Sequence, residues 1–338
     1  MRAAKLGALV RDHWPALKRD KLWRPEPSTL PGGAALRDLD SRQAWVLIDD
    51  GMVRRFGAAL AWAWRHGVGQ LHVLVEAAVP GGPGTASGVM ARRAAAMADP
   101  PAVWDVRGRE LTEAAPAQPA IGDCPSGAEA GAAYRALLVA HGAEPVFEHG
   151  VLRGEVLGLE VARVIGGQLQ VGVGRHDRLA RAEMYPDQDL GQALDEAVLA
   201  VRARRRPGEA SHPANTLARG RWLRSIVCAR PELVGARELA PVAPPLPWFD
   251  LPEAGAAPAC GTLLDGNIPV VAVCSVGVDL DLIPTAADSR LIHNPDARLL
   301  VVVPEGDDLP VTRGLAGSLA APAYVRLVPR GWETLAQA

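Results

Sequence analysis

Short apolar runs that alternate with helical segments are the feature that most restricts how this chain can fold. In the first third, runs at 44–48, 71–75 and 103–106 have the length and composition of buried strands. The segments between them, 52–66 and 89–97, carry helical periodicity. Because a strand–helix–strand connection is right-handed and places its two strands parallel, this order predicts a Rossmann-like βαβαβ unit.

The last third repeats this pattern, and the middle of the chain departs from it. Strand-like runs at 270–274, 299–303 and 324–328 alternate with helical segments and predict a second βαβαβ unit. In the middle, helical segments at 129–141 and 189–205 enclose three strand-like segments. These segments are 145–148, 152–165 and 169–173. Successive strands with short connections predict an antiparallel meander.

We therefore expect an α/β fold with an N-terminal Rossmann-like βαβαβ unit, a central antiparallel meander with helices, and a C-terminal βαβαβ unit. The expected boundaries are 1–111 for the first unit, 127–235 for the meander with its helices, and 263–338 for the last unit. Residues 236–262 are proline-rich and are predicted to be an extended connector. Residues 25–38, rich in proline and glycine, are predicted to be a loop.

Lysine is absent after residue 21. Lys5, Lys18 and Lys21 are the only lysines among 338 residues, and arginine carries the positive charge elsewhere. Arginine stays protonated and does not form Schiff bases, so it cannot replace lysine in catalysis. The body of the chain therefore cannot be a P-loop NTPase, a protein kinase, a pyridoxal-phosphate enzyme or a Schiff-base aldolase. Heavy use of Ala, Gly, Pro and Arg is also typical of GC-rich coding sequence.

Net charge, cysteine usage and hydropathy limit the partners and the compartment of the chain. A formal net charge of −2 argues against a globally basic nucleic-acid binder. The 4 cysteines are scattered and form no C-x-x-C pair, which fits a reducing cytosol better than a disulfide framework. No run approaches the ~20 apolar residues that span a bilayer, and no signal peptide is recognisable. We expect a cytoplasmic protein with no membrane partner.

Arginines concentrate between residues 202 and 230. Eight of them occur there, and Glu209 is the single acid in the same stretch. Arginines on neighbouring helical turns can contact phosphates and stack on bases, which predicts an anion-binding or nucleic-acid-binding surface. The candidate residues are Arg204, Arg205, Arg206, Arg219, Arg221 and Arg224. The alternative is a solvated helix end whose cations favour the C-terminal dipole and pair with acids elsewhere.

Three acids in or beside the meander are candidate catalytic groups. They are Glu155, Glu160 and Asp177. Strand alternation places Glu160 on a largely apolar face, where its carboxylate would have a raised pKa or need a charged partner such as Arg153 or Arg163. A bulge at Gly158 would instead turn Glu160 outward, into a surface ion pair.

The order of elements between residues 129 and 205 resembles the beginning of the PD-(D/E)XK nuclease core. In that family a second-strand acid and a third-strand E-x-K bind Mg²⁺ and position the attacking water. Glu155 or Glu160 would match the second-strand acid, but the third strand here, 168–172, contains neither Glu nor Lys. The resemblance therefore implies a degenerate, non-catalytic nuclease-like domain that binds an anionic partner such as nucleic acid.

Asp279 and Asp281 support a competing hypothesis. They follow the strand-like run at 270–274, and open parallel sheets bind ligands at the carboxyl ends of their strands. Their spacing resembles the D-x-D signature of nucleotide-sugar glycosyltransferases and could hold a divalent metal such as Mg²⁺. This reading predicts an enzyme on a nucleotide or phosphorylated metabolite. The alternative is two loop acids near a helix N-cap.

A third hypothesis is a structural or assembly protein. Trp62 and Trp64 lie two residues apart on one predicted helix, so we expect at least one at a domain or subunit contact, as in a homo-oligomer. Two further motifs are set aside. Asp49-Asp50-Gly51 resembles a phosphatase motif, but its acids are adjacent and no lysine follows. Gly172-Val173-Gly174 lacks the third glycine of a dinucleotide fingerprint, and no helix is clearly predicted to begin there.

Overall fold

The computed structural model describes nine segments of the chain, and the protein is of the mixed α/β class that the sequence predicts. The described residues are 2–14, 25–30, 33–48, 53–76, 86–119, 128–185, 188–206, 212–246 and 255–336. The α-helices within them are α1 Arg2–His13, α2 Arg55–Arg65, α3 Ala86–Ala94, α4 Ala128–Ala140, α5 Gly174–Met184, α6 Leu190–Arg204, α7 Pro213–Thr216, α8 Arg219–Ala229, α9 Leu282–His293 and α10 Pro310–Gly317.

Fifteen strands occur in the same described segments. They are β1 Glu26–Leu30, β2 Gly33–Asp38, β3 Gln43–Ile48, β4 Gln70–Glu76, β5 Ala102–Arg107, β6 Glu110–Glu113, β7 Glu144–Glu148, β8 Val151–Val156, β9 Leu159–Ile165, β10 Gln168–Val171, β11 Ala236–Pro241, β12 Ala257–Leu263, β13 Pro269–Cys274, β14 Arg298–Pro304 and β15 Tyr324–Val328. Short 3-10 turns lie at Pro231–Val234, Glu305–Asp307 and Trp332–Ala336.

The chain divides into two compact units, each assembled from several segments. Unit 1 comprises Met1–Pro119, Leu280–Asp288 and Leu309–Ala323. Unit 2 comprises Ala120–Asp279, Ser289–Asp308 and Tyr324–Ala338. The domain boundaries expected from the sequence remain predictions.

Unit 1 contains a six-stranded sheet in the order β1-β2-β3-β4-β5-β6. β3, β4 and β5 are parallel, and the outer strands add antiparallel pairs. The prediction of a loop at residues 25–38 is wrong, because β1 and β2 occupy most of that segment. Pro27 is tolerated in β1, which is an edge strand. β2 is held by pairing with β3 and by burial of Ala34 and Leu36, neither of which local composition reveals.

Unit 2 contains two sheets. The first is the predicted meander, but it has four strands, in the order β10-β9-β8-β7. The single strand predicted at 152–165 is interrupted by a turn at Leu157 and Gly158, whose φ angles are 49° and 74°. The second sheet has the order β11-β12-β13-β14-β15, in which β13, β14 and β15 are parallel. Residues 236–262, which the sequence predicts to be an extended connector, contribute strands at both ends, because β11 and β12 pair antiparallel there.

A helix that the sequence analysis missed follows β10. α5 begins at Gly174, two residues after Gly172, whose φ is +149°. A side chain at Gly172 would place its Cβ 2.7 Å from the backbone nitrogen of Arg178. Gly172 therefore allows the chain to turn tightly from strand β10 into helix α5.

Candidate anion-binding site

Helix α8 carries two faces of opposite character. Its apolar face includes Trp222 and Ile226, which are buried in a core shared with the five-stranded sheet of unit 2. Arg221 and Arg224, three residues apart, lie together on another face, as helical geometry requires. That second face contacts the strands β7 and β8 of the meander through charged groups.

Arg221 and Arg224 form a closed ion-pair network with Glu148 and Glu155. Arg221 donates to Glu155 Oε1 at 2.5 Å and to Glu148 Oε2 at 2.6 Å. Arg224 donates to Glu155 Oε2 at 2.9 Å and to Glu148 Oε1 at 3.2 Å. Each guanidinium thus bridges the same two carboxylates, and both carboxylate side chains are only 1% exposed.

In this network the opposite charges attract one another, and this attraction offsets the free-energy cost of burying them. Burial alone raises the pKa of Glu148, but Arg221, Arg224 and Arg153 outweigh it, and the pKa lies below its ordinary value. Burial lowers the pKa of Arg224, and Glu155 and Glu148 raise it further than burial lowers it. At neutral pH Glu148 and Arg224 are therefore ionised, and their ion pair contributes to holding α8 against the meander.

Glu160 forms a second group of ion pairs with three arginines. Arg163 donates to both of its carboxylate oxygens at 2.9 Å, and Arg178 donates at 2.5 Å. Arg153 lies 3.4 Å away and also lies 3.3 Å from Glu148, so it joins the two groups. Gly154 of β8 faces Ala162 of β9, whereas the next residue, Glu155, faces Glu160, so Val161 is an extra residue in β9. Because a bulge of this kind reverses the alternation of side chains, Glu160 and Arg163 can meet although they are three apart in one strand.

These ion pairs border a cavity of about 520 Å³ within unit 2. The arginines among its described lining residues are Arg153, Arg163, Arg178, Arg221 and Arg224, and the glutamates are Glu148 and Glu160. Leu159, Val173 and Leu217 contribute apolar wall. Glu155 is buried and does not line the cavity, but it pairs with the lining residue Arg221. Even when Glu155 is counted, the described region has five arginines and three glutamates, so positive charge is in excess.

Two buried arginines of this region are incompletely satisfied. Arg153 is 8% exposed, and its Nε has no hydrogen-bond partner in the described part of the chain. Arg205 is fully buried, stacks over Trp222 at 4.4 Å, and has no partner there for Nε or Nη1. Burial lowers the pKa of Arg205 to about 9, because the charge of Glu155 only partly offsets it and the charge of Arg219 adds to the lowering.

The structure distributes the candidate arginines among different environments. Arg221 and Arg224 line the cavity, whereas Arg205 is buried against Trp222. Arg219 is half-buried and donates to Glu333 at 2.6 Å. Arg204 and Arg206 are exposed. The six residues therefore do not form a single solvated face.

The candidate acids are engaged in ion pairs and hydrogen bonds. Glu155 and Glu160 are cross-strand neighbours, and both carboxylates form ion pairs with arginine guanidinium groups. Asp177 accepts a hydrogen bond from the Val173 backbone N–H at 2.7 Å and lies 3.6 Å from Arg181. The thiol of Cys228, also in unit 2, is neutral because burial raises its pKa to about 12. The site holds charge but presents no activated nucleophile among these groups.

Asp279 and Asp281 have different surroundings. Asp279 accepts a hydrogen bond from the Ser275 hydroxyl at 3.4 Å. Asp281 is 7% exposed and pairs with Arg93 at 2.8 Å. In the described residues, no three His, Cys, Asp or Glu side chains are grouped so that they could hold a metal ion. The motif Asp49-Asp50-Gly51, which resembles a phosphatase motif, lies outside the described residues.

Sequence reasoning missed several residues of this site. Glu148 and Arg178 were not singled out, although both line the cavity. Glu148 ends a short strand, and Arg178 belongs to the helix that was not predicted. A charged residue directly after the apolar residues Val146 and Phe147, and a Gly-x-Gly turn after a strand, were the available signals.

No protein-family model matches the sequence, and neither a curated protein nor a solved structure matches it. Among the helices that the structure describes, none combines the length and the apolarity needed to cross a lipid bilayer.

Proposed function

We propose that this protein binds a small anionic ligand, of the class of phosphorylated metabolites and nucleotides, in the cavity of unit 2. The observation that carries the proposal is the excess of arginine over glutamate in the described lining of a cavity of about 520 Å³. Small-molecule sites typically have volumes of ~300–1,000 Å³ and combine apolar wall with a few fixed polar groups. The cavity has both components.

The charge balance supports an anion as occupant. Buried charges that lack a counter-charge are costly, and proteins normally pair them. Here Glu148 and Glu155 pair with Arg221 and Arg224, and Glu160 pairs with Arg163 and Arg178. Charge-assisted hydrogen bonds from guanidinium to phosphate are among the strongest in proteins, so this group of arginines favours an anion.

The degenerate nuclease-like interpretation is compatible with this proposal. A metal-dependent nuclease needs carboxylate oxygens directed at Mg²⁺. Glu155 and Glu160 instead accept hydrogen bonds from arginines, so the same strands would hold an anion without a metal. We therefore propose binding rather than hydrolysis as the activity of this region.

The proposal is tested by a matched pair of variants on α5. Arg178→Gln removes a cavity arginine that is 4% exposed, and Glu160 keeps Arg163 and Arg153 as partners. Arg181→Gln changes an arginine of the same helix that does not belong to the cavity lining. Loss of one charge-assisted hydrogen bond, ~1.5–3 kcal/mol, predicts a Kd about 10- to 100-fold higher for Arg178→Gln. The Arg181→Gln variant should bind like the wild type.

Binding is measured by calorimetry and thermal unfolding with inorganic phosphate, nucleotides, and short DNA and RNA, each with and without Mg²⁺. A ligand that binds only the folded state raises the unfolding temperature. If no anion binds, or if both variants weaken binding equally, the proposal is wrong. If only DNA or RNA binds, with affinity that falls steeply with salt and requires the exposed Arg204 and Arg206, a nucleic-acid surface replaces the cavity as the site.

A further inference from the structure

The uncharged part of the cavity lining comes from several elements of unit 2. Leu159 lies on β9, Val173 lies between β10 and α5, and Leu217 lies between α7 and α8. The end of β11 and the start of β12 add a wall of five residues that have no polar side-chain atom: Pro244, Gly255, Ala256, Ala257 and Pro258. The Val242 backbone N–H donates to the Pro258 carbonyl oxygen at 3.2 Å, which joins the two sides of this β11–β12 wall.

The charged part of the lining belongs to different elements. Its arginines and glutamates lie on strands β7, β8 and β9 of the meander and on helices α5 and α8. Arg153 and Glu160, for example, lie on neighbouring strands, and Arg178 lies on α5. The cavity therefore brings an apolar wall from one sheet of unit 2 together with charged groups from the other sheet and its helices.

Besides His176, the described lining contains two kinds of residue. One kind is charged, and the other is aliphatic, proline or glycine. Amide and hydroxyl side chains, which both donate and accept hydrogen bonds, do not occur in this described lining. The base and the sugar of a nucleotide carry several polar groups, and burying such groups without hydrogen bonds is costly. A hydrocarbon chain needs no hydrogen bonds, and its removal from water is favourable, so this wall favours an alkyl chain over a nucleoside.

We infer that the ligand is an alkyl phosphate, whose phosphate is bound by the arginines and whose alkyl chain lies against Leu217 and the β11–β12 wall. This inference rests on the proposed function and narrows it from nucleotides to phosphates with an aliphatic body. Guanidinium groups match the geometry of a phosphate, and the aliphatic residues contribute by removing methylene groups from water. The two parts of the ligand thus correspond to the two parts of the lining.

The wild-type protein provides the first test, by calorimetry with inorganic phosphate and with methyl, butyl, hexyl, octyl and dodecyl phosphate, each below its micelle concentration. Each buried methylene should tighten binding about fourfold, which corresponds to ~0.8 kcal/mol, so hexyl phosphate should bind at least about tenfold more tightly than butyl phosphate. The gain should end at the chain length that fills the cavity. AMP has a phosphate monoester on a polar body, and it should bind more weakly than hexyl phosphate.

The outcomes of this series separate the inference from the proposed function. If inorganic phosphate or AMP binds and the alkyl chain adds no affinity, the inference is wrong and the proposed function stands. The same holds if AMP binds more tightly than hexyl phosphate. An undiminished gain up to dodecyl phosphate would also overturn the inference, because it indicates an open apolar surface or a lipid-like aggregate instead of a cavity of fixed size. If none of these phosphates binds, both are wrong.

A matched pair of leucine variants provides the second test. Leu217→Asn puts a polar side chain of similar size into the apolar lining and should raise the Kd for hexyl phosphate about tenfold relative to that for inorganic phosphate. This ratio is the readout, because a general disturbance of the site weakens both ligands. Leu199→Asn changes a leucine on α6 that is 66% exposed and does not belong to the described lining, and it should keep the wild-type ratio. Equal ratios in the two variants would overturn the inference. If Leu217→Asn does not fold, the wild-type series decides.

Discussion

Removing the charge of Glu155 tests whether the buried ion-pair network stabilises unit 2. Glu155 is 1% exposed, and Arg221 and Arg224 contact it at 2.5 and 2.9 Å. Glu155→Gln keeps the shape of the side chain and leaves the half-buried Arg221 and the buried Arg224 with Glu148 as their shared carboxylate. At an effective dielectric constant of ~20, two charges ~4 Å apart attract by ~4 kcal/mol.

Two such contacts correspond to a gross loss of ~8 kcal/mol of attraction. The neutral glutamine avoids the desolvation cost of the carboxylate, which is several kcal/mol and offsets part of this loss. We therefore expect Glu155→Gln to lower the free energy of unfolding by ~3–5 kcal/mol, the usual cost of breaking a buried ion pair. With an m-value of ~3 kcal/mol/M, the urea midpoint should fall by ~1–2 M. Intrinsic tryptophan fluorescence, to which the buried Trp222 on the same helix contributes, reports the transition.

Glu196→Gln is the matched control for this experiment. Glu196 also accepts a hydrogen bond from an arginine, Arg181, at 3.2 Å, but its side chain is 46% exposed. Solvent screens such a pair, so its urea midpoint should stay close to that of the wild type. If Glu155→Gln shifts the midpoint no more than Glu196→Gln does, the network does not stabilise the fold and the reasoning is refuted.

Two further changes probe the same region. The folded-state pKa of Glu148 lies below its ordinary value of 4.5, so its stabilising effect is complete above that pH and is lost as the pH falls through the lower value. The difference in unfolding free energy between the wild type and Glu148→Gln should therefore shrink between pH 5 and pH 3 in urea titrations; a constant difference would contradict this. Gly158→Ala would place a Cβ 2.3 Å from the backbone carbon of Arg221 at a φ of +74°, whereas Gly166→Ala meets no atom within 4 Å at a φ of +58°. Gly166→Ala should lower the free energy of unfolding by ~1–2 kcal/mol, and Gly158→Ala should lower it by clearly more. Equal unfolding temperatures for the two variants would show that the turn at Gly158 is not in close contact with α8.

The fold prediction succeeded for strands that are recognisable from their own residues and failed for strands that depend on a pairing partner. The strands at 44–48, 71–75, 270–274 and 299–303 were recognisable because buried parallel strands are continuous apolar runs. β2, β11 and β12 were not recognised, because small, proline-containing or mixed residues become strands only when a neighbouring strand pairs with them. Local composition cannot reveal such a partner.

The candidate site shows the same limit more strongly. The arginine-rich stretch between 202 and 230 was visible in the sequence, but its arginines lie in different environments. Arg221 and Arg224 form ion pairs with glutamates, Arg205 stacks on Trp222, and Arg204 and Arg206 are exposed to solvent. Glu148 and Arg221 are 73 residues apart in the chain, so only packing of α8 on the meander brings them together.

The sequence by itself determined the α/β class, the strands with continuous apolar character, the concentration of arginine and the exclusion of lysine chemistry. These properties depend on residue type and on short-range periodicity, which are present before the chain folds. The tertiary structure alone decided which arginines pair with glutamates, and which belong to the described lining of the cavity, where arginines outnumber glutamates. Electrostatic character depends on distance and burial, and for residues far apart in the chain both are set only when the units fold.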